Sequence, residues 1–117
     1  HLKKRNRGSI FFTGATASVR GGSGFAAFSS AKFALRSLSQ SMARELGPQG
    51  IHVAHFIIDG AIDTAFIKEN FPDIYALKEK DGILQPNAIA DAYWFVHTQE
   101  KNAWTHELDL RPYMEKF

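Results

Sequence analysis

Short, solid apolar runs alternate along this chain with longer stretches in which apolar residues recur at steps of three and four. Ser9 to Thr13 is such a run, closed by Gly8 and Gly14, and its length predicts a buried strand rather than a helix. Thr13 to Gly24 is rich in glycine and small residues, which predicts a loop. From Phe25 the pattern changes. Phe28, Ala31, Leu35, Leu38, Met42 and Leu46 mark one face of a long helix. Ser23 or Gly24 can cap its start, and Gly47-Pro48 ends it, with Gly47 as the expected left-handed cap. Ile51 to Ile58 predicts a second strand, broken by Asp59-Gly60. Residues 62–80 predict one or two short helices interrupted at Pro72, and Asp81-Gly82 predicts a turn. Pro86 opens a further helix, Asn87 to about Gln99, carrying Ile89, Ala92, Tyr93 and Val96. Glu107 to Leu110 alternates polar and apolar, as a third strand would.

Strands alternating with helices are the signature of βαβ units and a parallel sheet, so the fold class is α/β. A parallel sheet must be covered on both faces. Three strands with one long and one shorter helix cover it poorly. The expectation is therefore part of a sheet, with the Ser9–Thr13 edge and some of one face in need of a partner. Residues 1–117 form a single partial domain with a basic arm at 1–7, and no repeat or second domain is evident.

Composition narrows the function classes. The chain is 44% hydrophobic and 22% charged, as globular domains are. The longest apolar run, Val53 to Ile58, contains His55 and is far shorter than the roughly 18 residues of a membrane span. No secretory signal is evident. Zero cysteines exclude disulfides and thiolate metal sites and are in keeping with a cytoplasmic location. Lys3, Lys4, Arg5 and Arg7 crowd the N-terminus, but the net charge is only +2, so neither nucleic acid nor membrane is expected as a partner. The chain begins with His1, which points to a tag remnant or to a piece of something longer.

Candidate chemistry is sparse. Gly22-Ser23-Gly24-Phe25-Ala26-Ala27 fits a G-x-G-x-x-G/A pattern, but it stands well after the strand end where a dinucleotide fingerprint begins. His52 and His55 are three apart on a strand and must face opposite ways, so no metal site is expected. His106-Glu107 suggests surface chemistry. The aromatic residues, Tyr93, Trp94 and Phe95 among them, suit a core or an interface better than base stacking.

Phe28-Ser29-Ser30-Ala31-Lys32, early on the long helix, resembles the short-chain dehydrogenase/reductase family, whose signature there is Tyr-x-x-x-Lys. Ile58-Asp59-Gly60-Ala61-Ile62-Asp63-Thr64 is similar to the family's strand-end Pro-Gly-x-x-x-Thr segment. Gln85–Glu100 and Thr105–Leu110 resemble its penultimate helix and final strand. The resemblance implies a Rossmann-like doubly wound sheet, of which this would be the C-terminal half. The family's Thr-Gly-x-x-x-Gly-x-Gly cofactor loop is missing, since Ser18 and Arg20 stand where Thr13-Gly14 would need its two later glycines.

The resemblance also implies roles. Lys32 takes the place of the catalytic lysine, which also holds the nicotinamide ribose. Gly60, Ile62 and Thr64 take the cofactor-binding places, and the implied cofactor is NAD or NADP. The two hydroxyl-bearing positions are changed: Phe28 replaces the tyrosine, Ala15 the serine thirteen residues before it, and Asp59 the proline. Phenylalanine can neither give nor take a proton. The expectation is an oxidoreductase fragment, a pseudoenzyme inactive or weakly active alone, that does not bind the cofactor without further structure. The alternative is a non-catalytic assembly module that forms a homo-oligomer or pairs with a complementing N-terminal half.

Overall fold

The computed structural model describes residues 7–15 and 26–115, with backbone alone for 15 and 26–29. Residues 1–6 of the basic arm, the glycine loop and the expected cap at Ser23 or Gly24 lie outside the described residues. Strands β1 (Ser9–Ala15), β2 (His52–Ile58) and β3 (Glu107–Leu110) form one sheet in the order β1-β2-β3. Both pairings are parallel. The expected α/β class with an open parallel sheet is the observed one. Helix α1 (Ala26–Leu46) joins β1 to β2. Three helices lie between β2 and β3: α2 (Ala65–Asn70), α3 (Pro72–Tyr75) and α4 (Pro86–His97).

The sheet is built around β2. Every residue of β2 is buried, because it is flanked by a strand on each side and covered on both faces. On one face Ala54, Phe56 and Ile58 pack with Val96 of α4, and the Tyr93 ring stacks on Phe56 with centroids 3.8 Å apart. Phe11 of β1 joins them edge-on. On the other face His55 meets Glu107 of β3 and, through it, Arg36 of α1. Helices α1 and α4 therefore cover opposite faces. Two right-handed crossovers stepping the same way across a sheet would put both helices on one face. One of the two crossovers departs from that preference.

Two expectations need correction. The buried stripe of α1 is rotated from the predicted one: Ser39 is fully buried, while Leu38 is 50% exposed and Ala31 is exposed. Ser39 fits because its Oγ donates to the Arg36 carbonyl at 2.8 Å, so its hydroxyl carries no unmet bond into the core. The left-handed residue after α1 is Gly50 (φ 84°), not Gly47. A short 3-10 turn, Gly47–Gln49, intervenes with Pro48 inside it, and Gly50 N–H closes it on the Gly47 carbonyl. Elsewhere the punctuation acts as expected. Phe71-Pro72 separates α2 from α3, Asp81 turns the chain with φ 59°, and Pro86 occupies the first turn of α4.

Candidate active site and adjoining groove

Ligands of open α/β sheets lie outside the carboxyl ends of the strands. Ala15, the last residue of β1, is in register with Ile58, the last of β2. The chain then continues through Asp59 and Gly60. Helix α1 runs back from this same end, so Phe28 and Lys32 in its first two turns stand near the mouth. Lys32 is one turn, about 6 Å of rise, ahead of Arg36 and on the same helix face.

Asp59 is 2% exposed. Its backbone N–H donates to the Leu110 carbonyl at 2.9 Å, and its carboxylate is 3.3 Å from Arg111. A proline here could not make that backbone bond, which accounts locally for the departure from the family's Pro-Gly. Gly60 has φ 142°, and a Cβ on it would come within 2.9 Å of Pro112 Cδ. Packing against the C-terminal segment thus explains this glycine without a ligand. Ile62 makes a parallel bridge with Leu84, closed by Leu84 N–H to the Ala61 carbonyl and Asp63 N–H to the Leu84 carbonyl, both 2.8 Å. Lys78 Nζ, 2.9 Å from Asp63, pins the helical excursion to this bridge. Its hydrogen bond holds the Asp63 carboxyl below the usual range. Thr64 caps α2, its Oγ1 accepting from Ile67 N–H at 3.3 Å.

Ile62 and Thr64 open onto a groove of about 750 Å³ whose floor is Phe11 of β1 and whose long wall is α4. The groove is lined almost entirely by apolar surface. Tyr93 OH and Thr13 Oγ1 share a hydrogen bond of 2.5 Å, and His97 Nδ1 and Ser9 Oγ share one of 2.8 Å. These bonds tie α4 to the edge strand on either side of Phe11. The structure thus brings together Ile62 and Thr64 of the expected site residues. It places Gly60 against Pro112, and Lys32 on the helix of the opposite face.

A polar cluster on the α1 side joins Arg36, His55 and Glu107, which no local pattern relates. Arg36 donates from Nε and Nη2 to the two oxygens of Glu107, each at 2.8 Å. His55, with no exposed side-chain surface, donates from Nδ1 to the same carboxylate at 3.1 Å. Burial pushes the Glu107 carboxyl up, but the Arg36 and His55 hydrogen bonds outweigh it and the net shift is downward. The expectation of surface chemistry at His106-Glu107 is therefore corrected: Glu107 clamps helix to sheet, and His106 Nδ1 bonds the Val53 carbonyl at 3.0 Å. His52, on the opposite face from His55, bonds the Thr105 carbonyl at 2.7 Å and stacks on Trp104. Among the described residues no cluster of three or more metal-ligating side chains forms, and no helix is long and apolar enough to cross a membrane.

A family model described as short chain dehydrogenase matches residues 1–74. A 3-dehydrosphinganine reductase of Danio rerio is 30% identical over 92 residues, covering 76% of this chain and 28% of that protein. Among solved structures, a short-chain dehydrogenase from Rhodopseudomonas palustris is 50% identical, with TM-score 0.70, covering 96% of this chain and 42% of that one. An alcohol dehydrogenase of the archaeon Thermococcus sibiricus, complexed with 5-hydroxy-NADP, shares the fold at TM-score 0.75 and 24% identity, over 99% of this chain and 46% of that one. The chain thus spans less than half the length of each of these proteins.

Proposed function

Because the chain belongs to the short-chain dehydrogenase family, we propose that it is one portion of an NAD(P)-dependent oxidoreductase fold and turns over little or no substrate by itself. The observation that carries this is the pair of residues at the mouth. Ala15 ends β1 beside Ile58, and Phe28 precedes Lys32 by one helical turn. Neither can exchange a proton with a substrate oxygen, and positioned acid–base catalysis is typically worth about 10² to 10⁴ in rate.

NAD or NADP, when bound, supplies or accepts the hydride. The NADP analogue complexed with the Thermococcus sibiricus enzyme supports that cofactor class for the fold. The residues present fit such a cofactor in part. Lys32 stands at the end of the sheet where a ribose hydroxyl could meet its ammonium, and Thr64 offers a hydroxyl at the groove. Gly60 is explained by Pro112, and the sequence has no glycine-rich phosphate loop at the end of β1. The lack of cysteine is in keeping with a reducing compartment such as the cytoplasm.

Calorimetric titration of the chain with NAD(H) and NADP(H) tests the proposal. No saturable binding in the micromolar range is expected, and micromolar binding would refute the reading that this portion lacks a dinucleotide site of its own. The second reading, a non-catalytic assembly module, is favoured by the apolar groove beside the edge strand.

A further inference from the structure

We propose that a small cavity at the amino ends of the strands, at the opposite end of the sheet from the mouth, holds one inorganic phosphate ion.

The cavity has a volume of about 140 Å³. That is room for a few waters at about 30 Å³ each, or for one tetrahedral oxyanion, and too little for a nucleotide. Ser9 and His52, the first residues of β1 and β2, are in register there. Both line the cavity, together with Arg7, His97, Lys101 and Trp104. His52 is 3% exposed. Its Nε2 meets the Thr105 carbonyl at 2.7 Å, Trp104 stacks on its ring with centroids 4.5 Å apart, and Phe11 meets the ring edge-on. A carbonyl only accepts, so Nε2 carries the hydrogen and Nδ1 of the neutral ring is a bare acceptor. Nδ1 is buried and has no partner among the described residues. With Nε2 and the stacked face already occupied, the edge that carries Nδ1 is the polar part of His52 left to the cavity.

Around this acceptor the wall is cationic. Arg7 and Lys101 are exposed, and among the described residues neither meets a carboxylate. Glu100, next to Lys101 in sequence, does not line the cavity. The loop that carries Lys101 and Trp104 is held in shape. Gln99 Nε2 donates to Thr105 Oγ1 and Gln99 Oε1 accepts from Thr105 N–H, both at 2.8 Å, while Ala103 N–H closes on the Glu100 carbonyl at 2.9 Å. The residue that clamps this loop, Thr105, is also the one that orients His52. Acceptor and cation are thus placed by one short segment. On the rim, His97 Nδ1 and Ser9 Oγ share a hydrogen bond of 2.8 Å.

This combination selects the ligand. Arg7 and Lys101 call for negative oxygens, and the bare nitrogen calls for a hydrogen-bond donor. A carboxylate or a sulfate near neutral pH brings oxygens without an O–H. A water satisfies the nitrogen but brings no charge to the cations. Inorganic phosphate brings both, with anionic oxygens for Arg7 and Lys101 and a P–OH that donates to His52 Nδ1.

The test uses the full chain carrying Trp94→Phe, in which Trp104 is the remaining tryptophan. It is titrated near neutral pH with sodium phosphate and, separately, with sodium sulfate, at fixed ionic strength. Phosphate should change the Trp104 fluorescence saturably in the millimolar range, and sulfate should bind at least about tenfold more weakly, the loss of one hydrogen bond to a charged group. NMR of the imidazole nitrogens should show His52 Nδ1 shifting with phosphate while Nε2 stays protonated. Lys101→Met and Arg7→Met, both at exposed positions, should each weaken phosphate about tenfold and leave the melting temperature unchanged. Absence of saturation by phosphate overturns the proposal and leaves a water as the partner of Nδ1. Equal binding of sulfate, a His52 Nδ1 that does not respond, or full phosphate affinity in both charge variants overturns it as well.

Discussion

The Glu107 carboxylate should be the most sensitive polar group in the described structure. It accepts two hydrogen bonds from Arg36 at 2.8 Å and one from His55 at 3.1 Å. Truncation to Ala removes all three at once. Hydrogen bonds to charged groups contribute about 1.5–3 kcal/mol, and a buried donor left unpaired costs about 1–3 kcal/mol. The Arg36 and Glu107 side chains are 33% and 24% exposed, so solvent screening pulls the Arg36 part toward the low end. His55 has no such relief, since its Nδ1–H would be stranded in the core beside an Nε2 that already lacks a partner. The expected loss is about 2–4 kcal/mol for Glu107→Ala and about 1–2 for Arg36→Met, which leaves His55 paired. His55→Leu should cost about 1 kcal/mol or less, because it removes a weak bond and an unsatisfied nitrogen together.

Urea denaturation followed by circular dichroism measures all of these, and the Arg36→Met/Glu107→Met cycle isolates the pair, with a coupling of about 1–2 kcal/mol expected. Acid supplies a second check. The folded Glu107 pKa lies below its unfolded value, so the linked stability is complete above about pH 4.3 and is lost as pH falls through the folded pKa. The stability gap between wild type and Glu107→Gln should therefore hold steady near neutrality and narrow below about pH 4. A gap under about 0.5 kcal/mol at pH 7, the range of ordinary surface changes, or one that persists undiminished at pH 3, would show that the cluster does not clamp α1 to the sheet.

Three further outcomes follow from the same geometry. Gly60→Ala combines a φ of 142° with a 2.9 Å approach to Pro112, and thermal melting should show a loss of about 1–3 kcal/mol. Lys78→Met should raise the Asp63 carboxyl pKa toward its ordinary value, read by NMR titration. The wild-type pair adds its stability above the unfolded Asp pKa and loses it as pH falls through the lowered one. In a complex reconstituted with the remainder of the fold, Ala15→Ser with Phe28→Tyr should raise hydride transfer by about 10² to 10⁴, assayed by NAD(P)H absorbance, with no gain expected in the isolated chain.

The strands and helices were legible because local rules dominate them. Glycines bound β1, Pro86 starts α4, and β2 is a solid apolar run buried throughout. The left-handed residue after α1 was misplaced because Gly47 and Gly50 both satisfy the steric rule, and Pro48 in a 3-10 turn decides between them. The α1 stripe was misjudged because hydrophobicity alone puts Leu38 inward and Ser39 outward, whereas a hydroxyl bonded back to its own helix is small and satisfied enough to be buried. The Glu107 cluster was beyond reach of any local pattern, since Arg36 and His55 lie 71 and 52 positions from it in sequence.

The site shows the same division. Ala15, Phe28 and Lys32 come from resemblance to the family's motif, and the strand end and the start of α1 put their backbone positions at one end of the sheet. The groove was not legible, because it depends on which face of the sheet α4 covers. The sequence reading of α4 names Ile89, Ala92, Tyr93 and Val96, of which Ile89, Tyr93 and Val96 pack on the core. The run Tyr93-Trp94-Phe95 already exceeded what one face can bury, and Trp94 and Phe95 are the surplus, 67% and 66% exposed. A helix that is apolar beyond the stripe it buries is asking for a second neighbour. With α1 and α4 on opposite faces, the groove along α4 lies beside Phe11 of β1, whose ring meets Tyr93 edge-on.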